Sequence, residues 1–302
     1  MKIILAGGTG FIGKELVLSL YQKGHEIVQL TRKSPDEKSR LVTQVQWDGK
    51  TLGPWAELLD GADAVINLCG EPIAGKRWSE PQKKIIVTSR LDTTRVIIDA
   101  ISKSSRKPKV LINASGAGFY GNRPDEILTE SAPPGKGFLP RTCIAWEEEA
   151  KRAESLGVRV VLLRIGMVLE KSGGALDKLI PPFHFFAGGP LGNGKQGMPW
   201  IHRADILGII QFVLDHSEIS GPVNLTAPEI ITNEQFSQIL GEVLHRPSWL
   251  RAPAWALKIL LGKMAEELLL SGQRATPAKI LGAGYQFQYP ELKLALTDIL
   301  KG

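Results

Sequence analysis

The chain of 302 residues is poor in cysteine, with only Cys69 and Cys143. Two distant cysteines make neither a disulfide framework nor a metal site, and they suit a reducing compartment. Long apolar runs are missing as well. The run "KIILA" behind Met1 ends in glycines, too short for a signal peptide, and no later stretch is long enough to cross a bilayer. There is no internal repeat and no low-complexity tract. An excess of one charge is also slight: 37 basic against 31 acidic residues, net +6, interleaved along the chain. The clusters "QKK" (82–84) and "SSRKPK" (104–109) read as solvated surface rather than a nucleic-acid patch. These absences point to a soluble, cytoplasmic protein with no nucleic-acid and no membrane partner.

What is present is an alternation of strand-like and helix-like segments. "KIILA" (2–6), "HEIVQLT" (25–31), "ADAVINLCG" (62–70), "KVLINASG" (109–116) and "VRVVLLRIG" (158–166) are strand-like. Between them, 11–24, 81–104 and 143–157 have helical spacing. Apolar strands in βα order predict a parallel sheet covered on both faces: an α/β fold, the Rossmann doubly wound parallel sheet. From about residue 171 the chain turns rich in Gly and Pro around aromatics. "GPVNLTAP" (221–228) looks like one more strand, and Thr232 or Asn233 opens a helix. The expected division is a dinucleotide-binding domain of residues 1–170 plus about 204–226. Residues 171–203 and 227–302 then form a smaller C-terminal substrate or cap region.

The stretch "GGTGFIG" places Gly7, Gly10 and Gly13 between the first strand and the first helix. A phosphate at a helix N-terminus meets free N–H groups and the positive end of the helix dipole, provided no side chain blocks its approach. Gly7 permits the turn, Gly10 the approach of a pyrophosphate and Gly13 close helix–strand packing. With Thr9, Phe11 and Ile12 they form the expected cofactor loop. An NAD site places an acid at the end of the second strand to bind the ribose 2′-OH. Here that end reads "QLTRKS", with Thr31, Arg32 and Lys33 and no acid. Arg32 suits a 2′-phosphate, so the expected cofactor is NADP(H).

From these glycines onward the chain resembles the extended short-chain dehydrogenase/reductase superfamily. "INLCG" (66–70) is similar to its strand end beside the cofactor, with Asn67 and Gly70 matching. "INASGAGFYG" (112–121) is similar to its strand ending in serine, and Asp205 in "WIHRADI" resembles a late aspartate of the family. Nearly the whole chain resembles the atypical "epimerase family protein" branch, including "NLCGEPIAGKRWSEPQKKIIVTSRLDTTR" and the tail "AEELLLSGQRATPAKILGAGYQFQYPEL". The tail resembles that branch's own small C-terminal domain.

The resemblance implies a catalytic tyrosine with a lysine four residues on, the tyrosine moving a proton while a nicotinamide moves a hydride. The corresponding region, "GFLPRTCIAWEEEAKRAE", has no tyrosine. Thr142 or Cys143 stands in the tyrosine's place and Trp146 or Glu147 in the lysine's, with Lys151 a further turn on. Ser115, Tyr120 and Cys143 are therefore the candidate catalytic residues, Ser115 to polarise a carbonyl and Tyr120 or Cys143 to carry the proton. Arg90 is expected on the cofactor, and for Trp78 and Arg90 shaping the pocket and packing are equal readings; His202 is open between a substrate-side and a structural role. Residues 187–200, with their glycines, are expected to form a lid. The implied function is NADP(H)-dependent oxidoreductase or epimerase-like chemistry on an unknown small carbonyl or hydroxylated substrate. The alternative is an inactive NADP(H)-binding regulatory protein, linked by the labels of relatives to cell or organelle division. Helices 81–104 and 143–157 correspond to a pair that dimerises in relatives, so a homodimer is possible.

Overall fold

The computed structural model describes residues 1–34, 42–171 and 173–301. The strands are β1 (Lys2–Ala6), β2 (Glu26–Thr31), β3 (Thr43–Gln46), β4 (Ala64–Asn67), β5 (Val110–Gly116), β6 (Arg123–Leu128), β7 (Arg159–Ile165), β8 (Met167–Leu169), β9 (Trp200–His202), β10 (Gly221–Leu225) and β11 (Gln273–Ala275). The helices are α1 (Gly13–Gln22), α2 (Glu80–Lys103), α3 (Phe138–Lys151), α4 (Leu176–His184), α5 (Arg203–Asp215), α6 (Asn233–Leu244), α7 (Ala254–Leu261), α8 (Ala278–Gly282) and α9 (Leu292–Lys301).

Seven strands form one parallel sheet in the order β3-β2-β1-β4-β5-β7-β10. Alternate strand residues feed two cores. Ile3 and Leu5 pack with Leu16 and Leu20 of α1 and Ile206 and Ile209 of α5. Ile4 and Ala6 pack on the other face with Val96, Ile97 and Ile101 of α2 and Ala150 of α3. Both faces are covered, which is why these strands read as unbroken apolar runs. The strand order reverses at β1, whose Ala6 pairs with Leu30 of β2 and with Asn67 of β4. A crevice opens beyond the carboxyl ends of strands at such a reversal, the usual ligand site of this architecture.

A third core joins Leu169, Leu176, Phe183 and Trp200 with Phe236 and Leu240 of α6 and Leu292 and Leu296 of α9. The expected cap region is not wholly separate, because Ile280 and Tyr285 return to the first core of the sheet domain. Asp205, buried on α5, ties down this return. Its carboxylate accepts from the backbone N–H of Gln288 (2.8 Å) and Tyr289 (3.0 Å) and from the Tyr285 hydroxyl (3.2 Å).

Two expectations differ from the structure. Helix α3 begins at Phe138, five residues before the expected 143, and passes at Lys151 into a tighter helical turn. The stretch 252–272 holds α7 and, apart from it, a wide helical turn at Ala265–Leu269. The glycine-rich stretch 187–200 is not a free lid. A Cβ on Gly188 would lie 2.4 Å from the Phe183 ring, on Gly189 2.5 Å from the Leu250 carbonyl, and on Gly197 2.6 Å from the Gln273 carbonyl. Gly188, Gly189 and Gly197 thus serve close packing, while Gly192 and Gly194 take left-handed turns at φ +60° and +74°.

Candidate nucleotide site and crevice

The first glycines do what backbone crowding requires. Gly7 has φ +86°, and a Cβ there would lie 2.8 Å from the backbone of Leu68 beyond β4. A Cβ on Gly13 would lie 2.2 Å from the Gly7 carbonyl oxygen, so α1 can approach the turn only with glycine there. Gly10 differs: apart from the Gly7 oxygen at 3.2 Å, nothing lies within 4 Å of where its Cβ would stand. No protein group among the described residues crowds its open side. The Gly10 N–H donates to the Gly7 carbonyl (3.0 Å), closing the turn. Among the described residues, no side chain caps the N-terminus of α1. Thr9 and Gly10 are exposed, while Phe11 and Ile12 are half-buried. Phe11 lies against Gly173 and Gly174, and Ile12 packs on the first core.

At the end of β2, Thr31 is buried and its hydroxyl accepts the Lys33 N–H (3.2 Å). Arg32 is exposed, and its positive charge acts on the Cys69 thiol across the crevice. Burial pushes that thiol up to about 12, with Arg32 opposing the shift. One wall of the crevice is thus cationic at the point where a ribose 2′ substituent would fall in this architecture.

Asn67 is fully buried and its amide is spent within the protein. It donates to Asn113 Oδ1 (2.8 Å) and Thr94 Oγ1 (3.1 Å) and accepts the Cys69 N–H (3.1 Å). It therefore shapes the backbone at 67–69 rather than presenting a free side chain. Arg90 donates to the carbonyls of Ile86 (2.8 Å) and Glu71 (3.1 Å) and lies over the Trp146 ring at 5.0 Å. Its guanidinium covers Gly70, where a Cβ would come within 3.1 Å of Arg90 Cζ. Trp78 donates to the Ile73 carbonyl (2.8 Å) and packs edge-on to Phe138, a packing role. His202 is buried, caps α5 by accepting the Ala204 N–H (3.1 Å), and lies against Tyr289. Its place is structural.

Next to β5, α3 carries Cys143 and Glu147 one turn apart. Ser115 Oγ donates to Glu147 Oε1 (2.7 Å), so its proton is committed to the protein, contrary to the carbonyl-polarising role expected of it. Cys143 is buried, and its thiol points at the Gly116 carbonyl (3.8 Å). Burial and the nearby Glu147 push that thiol up to about 11, with Arg90 opposing. Of the two pairs that the sequence left open, Cys143 and Glu147 are the ones on the side of α3 that faces the end of β5. Thr142 instead donates back to the Phe138 carbonyl (2.9 Å), and Trp146 Nε1 donates to Thr94 (2.9 Å).

Tyr120 does not reach the crevice. It is fully buried; its hydroxyl donates to Asn224 Oδ1 (2.7 Å) with the Thr129 carbonyl at 3.1 Å, and accepts from Arg164 Nη1 (3.0 Å). Burial raises its pKa. The hydroxyl both donates and accepts within the protein, so neither its proton nor its acceptor side is left for a substrate. Arg164 centres the network: it grips Glu147, donates to the Glu130 carbonyl (3.1 Å), and lies 3.5 Å over the Phe119 ring. Sequence reasoning passed over Arg164, although an arginine inside "VVLLRIG" signals a buried partner. It also missed Glu267, whose carboxylate accepts the N–H of Phe138 (2.9 Å) and Leu139 (2.8 Å) at the start of α3.

Known proteins share this fold and are similar in sequence. The sequence profile of the NAD dependent epimerase/dehydratase family matches residues 3–225, and a domain of unknown function, DUF1731, matches residues 252–299. The chain is 39% identical to epimerase family protein YfhF of Bacillus subtilis, over 99% of this chain and 98% of that one. It is 40% identical to the chloroplastic epimerase family protein SDR39U1 homolog of Arabidopsis thaliana, over 100% of this chain and 87% of that one. The crystal structure of human epimerase family protein SDR39U1, isoform 2, with NADPH superimposes with a TM-score of 0.90 at 33% identity, covering 100% of both chains. With the Rossmann sheet, the glycine turn and the C-terminal domain in place, the chain belongs to the NAD dependent epimerase/dehydratase family, in its epimerase family protein branch.

Proposed function

We propose that this protein binds NADP(H) in the crevice beyond β1 and β4 and acts with it on a small carbonyl or hydroxylated substrate, with Cys143 as the proton carrier. The observation that carries the reading is the position of Arg32, exposed at the end of β2 with no acid beside it in the sequence. Gly7, Gly10 and Gly13 fit the group, since they leave a turn that a pyrophosphate can approach at the head of α1. Thr9, Phe11 and Ile12 complete the loop, and Thr31 and Asn67 hold the two strand ends that frame it. The NADPH held by human SDR39U1 supports the choice of cofactor. When bound, the nicotinamide supplies or takes a hydride. Cys143 keeps its proton at neutral pH, and it is one of the two residues, with Thr142, that the resemblance sets in the tyrosine's place. A thiol near 11 is comparable in acidity to a phenol at about 10, which suits proton delivery to an alkoxide. Ser115 and Glu147 position that thiol, and Arg164 fixes Glu147.

A second reading is NADP(H) binding without turnover, in which the bound nucleotide sets shape or partner choice. It is favoured by the Ser115 proton being committed to Glu147 and by the sealing of Tyr120. The test is titration with NADPH and NADH, followed by nicotinamide fluorescence, in wild type and Arg32→Ala. Preference for NADPH that weakens selectively in Arg32→Ala is expected. Equal affinity for both nucleotides, or no binding, overturns the cofactor reading. A carbonyl-substrate screen with Cys143→Ser then separates the two readings: turnover lost in the variant supports the enzyme. A protein that binds NADPH and turns over nothing supports the second reading.

A further inference from the structure

Residues 245–263, "HRPSWLRAPAWALKILLGK", contain Arg246, Arg251, Lys258 and Lys263 and no Asp or Glu. Apart from Leu261, the structure leaves their large apolar side chains outside every core cluster of the described residues, and helix α7 has no buried residue. Ile259 is 71% exposed, Leu260 68%, and Trp249 and Trp255 67% each. Phe185, at 81%, joins them from the end of α4. These are the five most exposed large hydrophobic side chains among the described residues. The two segments are tied together: Trp249 Nε1 donates to the Phe186 carbonyl (2.9 Å), and the Arg246 guanidinium lies 4.9 Å over the Phe186 ring. Only the end of α7 is anchored, where Leu261 packs beside Trp78 and Met264.

We infer that α7, with Trp249–Leu250 and Phe185–Phe186, is an interfacial anchor that lies on an anionic lipid surface. Exposed Trp, Ile and Leu with interspersed Lys and Arg are the composition of segments that rest in the headgroup region. Eight residues of helix are far too few to cross a bilayer but enough to lie on one. The absence of a spanning run, which suggested no membrane partner, bears on crossing and not on lying flat.

The charges select the occupant. Arg251 pairs with Glu234 (2.7 Å) and Lys258 with Glu266 (3.2 Å), and both acids lie outside the segment. Arg246 and Lys263 are in no ion pair within 4 Å among the described residues, although the Lys263 charge acts on Glu80; the segment's own charges are all basic and form a rim beside the apolar face. A second copy docking the same face would set this rim against itself. Anionic headgroups would neutralise it.

The test is flotation of the full chain with vesicles of phosphatidylcholine alone or mixed with phosphatidylglycerol. The protein is expected to float with the mixed vesicles, less at high salt. The double variant Ile259→Glu, Leu260→Glu should bind them at least about tenfold more weakly while its far-ultraviolet circular dichroism and NADPH titration stay unchanged. Arg246→Gln with Lys263→Gln should lose affinity only for the anionic vesicles, by about fivefold per cation. No flotation of the wild type overturns the proposal, as does equal binding to both vesicle types. A dimer in light scattering that Ile259→Glu, Leu260→Glu dissolves, without vesicle binding, assigns the face to a second copy and also overturns it. Neither result touches the nucleotide reading, which has its own titration.

Discussion

Glu147 of α3 holds Arg164 of β7 at two points, each carboxylate oxygen 2.9 Å from a guanidinium nitrogen, with both side chains buried. The pair is closed on itself, with no charge left over for a ligand. Its acceptor side also takes the Ser115 proton, and its donor side takes the Tyr120 hydroxyl.

Breaking this pair should be costly, because a buried charge left alone is worse than no charge. Glu147→Ala is expected to lower stability by about 3–5 kcal/mol in urea denaturation. Glu147→Gln should cost less, since its amide oxygen still accepts hydrogen bonds. A loss in Glu147→Ala below about 1 kcal/mol, the scale of an exposed pair, would show that solvent reaches the site.

Helix α3 has no cap of its own, because Gly137 precedes it at φ +136° and cannot accept through a side chain. Glu267 supplies that cap from the C-terminal region, adding negative charge at the positive end of the helix dipole. Glu267→Ala is expected to cost about 1–2 kcal/mol. It should also raise hydrogen exchange at the Phe138 and Leu139 amides. Unchanged exchange at those two amides would remove Glu267 from this role.

Both cysteines should be slow nucleophiles. Burial holds the thiols of Cys143 and Cys69 at about 11 and about 12, so the reactive thiolate is scarce at neutral pH. Alkylation by iodoacetamide, read by peptide mass spectrometry, should run on the order of 100-fold slower than for a free thiol of pKa about 8.5. Denaturation should restore the normal rate. Fast labelling of native Cys143 would contradict a proton-bearing thiol.

His202 gives a pH dependence. Burial holds it below its ordinary 6.5; Asp298, Asp205 and Glu170 oppose that shift and Arg203 adds to it. Below 6.5 the unfolded chain takes up a proton that the native histidine resists. The neutral ring therefore contributes fully above that pH, and its contribution is lost as the pH falls through the interval down to the lower native value. From about pH 7 to about pH 5, the wild-type melting temperature should fall more steeply than that of His202→Gln. Equal slopes would mean that the ring titrates alike in both states.

Much of the sheet was legible because burial on both faces leaves unbroken apolar runs, and five such runs became β1, β2, β4, β5 and β7. β3 was missed because "TQVQ" has an edge strand's polar composition. The short pairs β6–β11 and β8–β9 join segments far apart in sequence, which local pattern does not reveal. In the crevice the glycine turn was legible for a local reason: Gly7 and Gly13 are demanded by atoms a few residues away and by the adjoining strand.

The alternation of strands and helices, the phosphate-type turn, the lack of an acid after β2 and the lack of a tyrosine on α3 are all set locally. Each is a property of neighbours along the chain. Only the tertiary structure decided that Ser115, Glu147, Arg164 and Tyr120 share one hydrogen-bonded network. It also decided that Gly188, Gly189 and Gly197 pack closely, and that α7 keeps Trp255, Ile259 and Leu260 in the open. Those outcomes depend on which surfaces meet across the fold. A side chain's partner and exposure are set there, by packing between segments that the chain order leaves far apart.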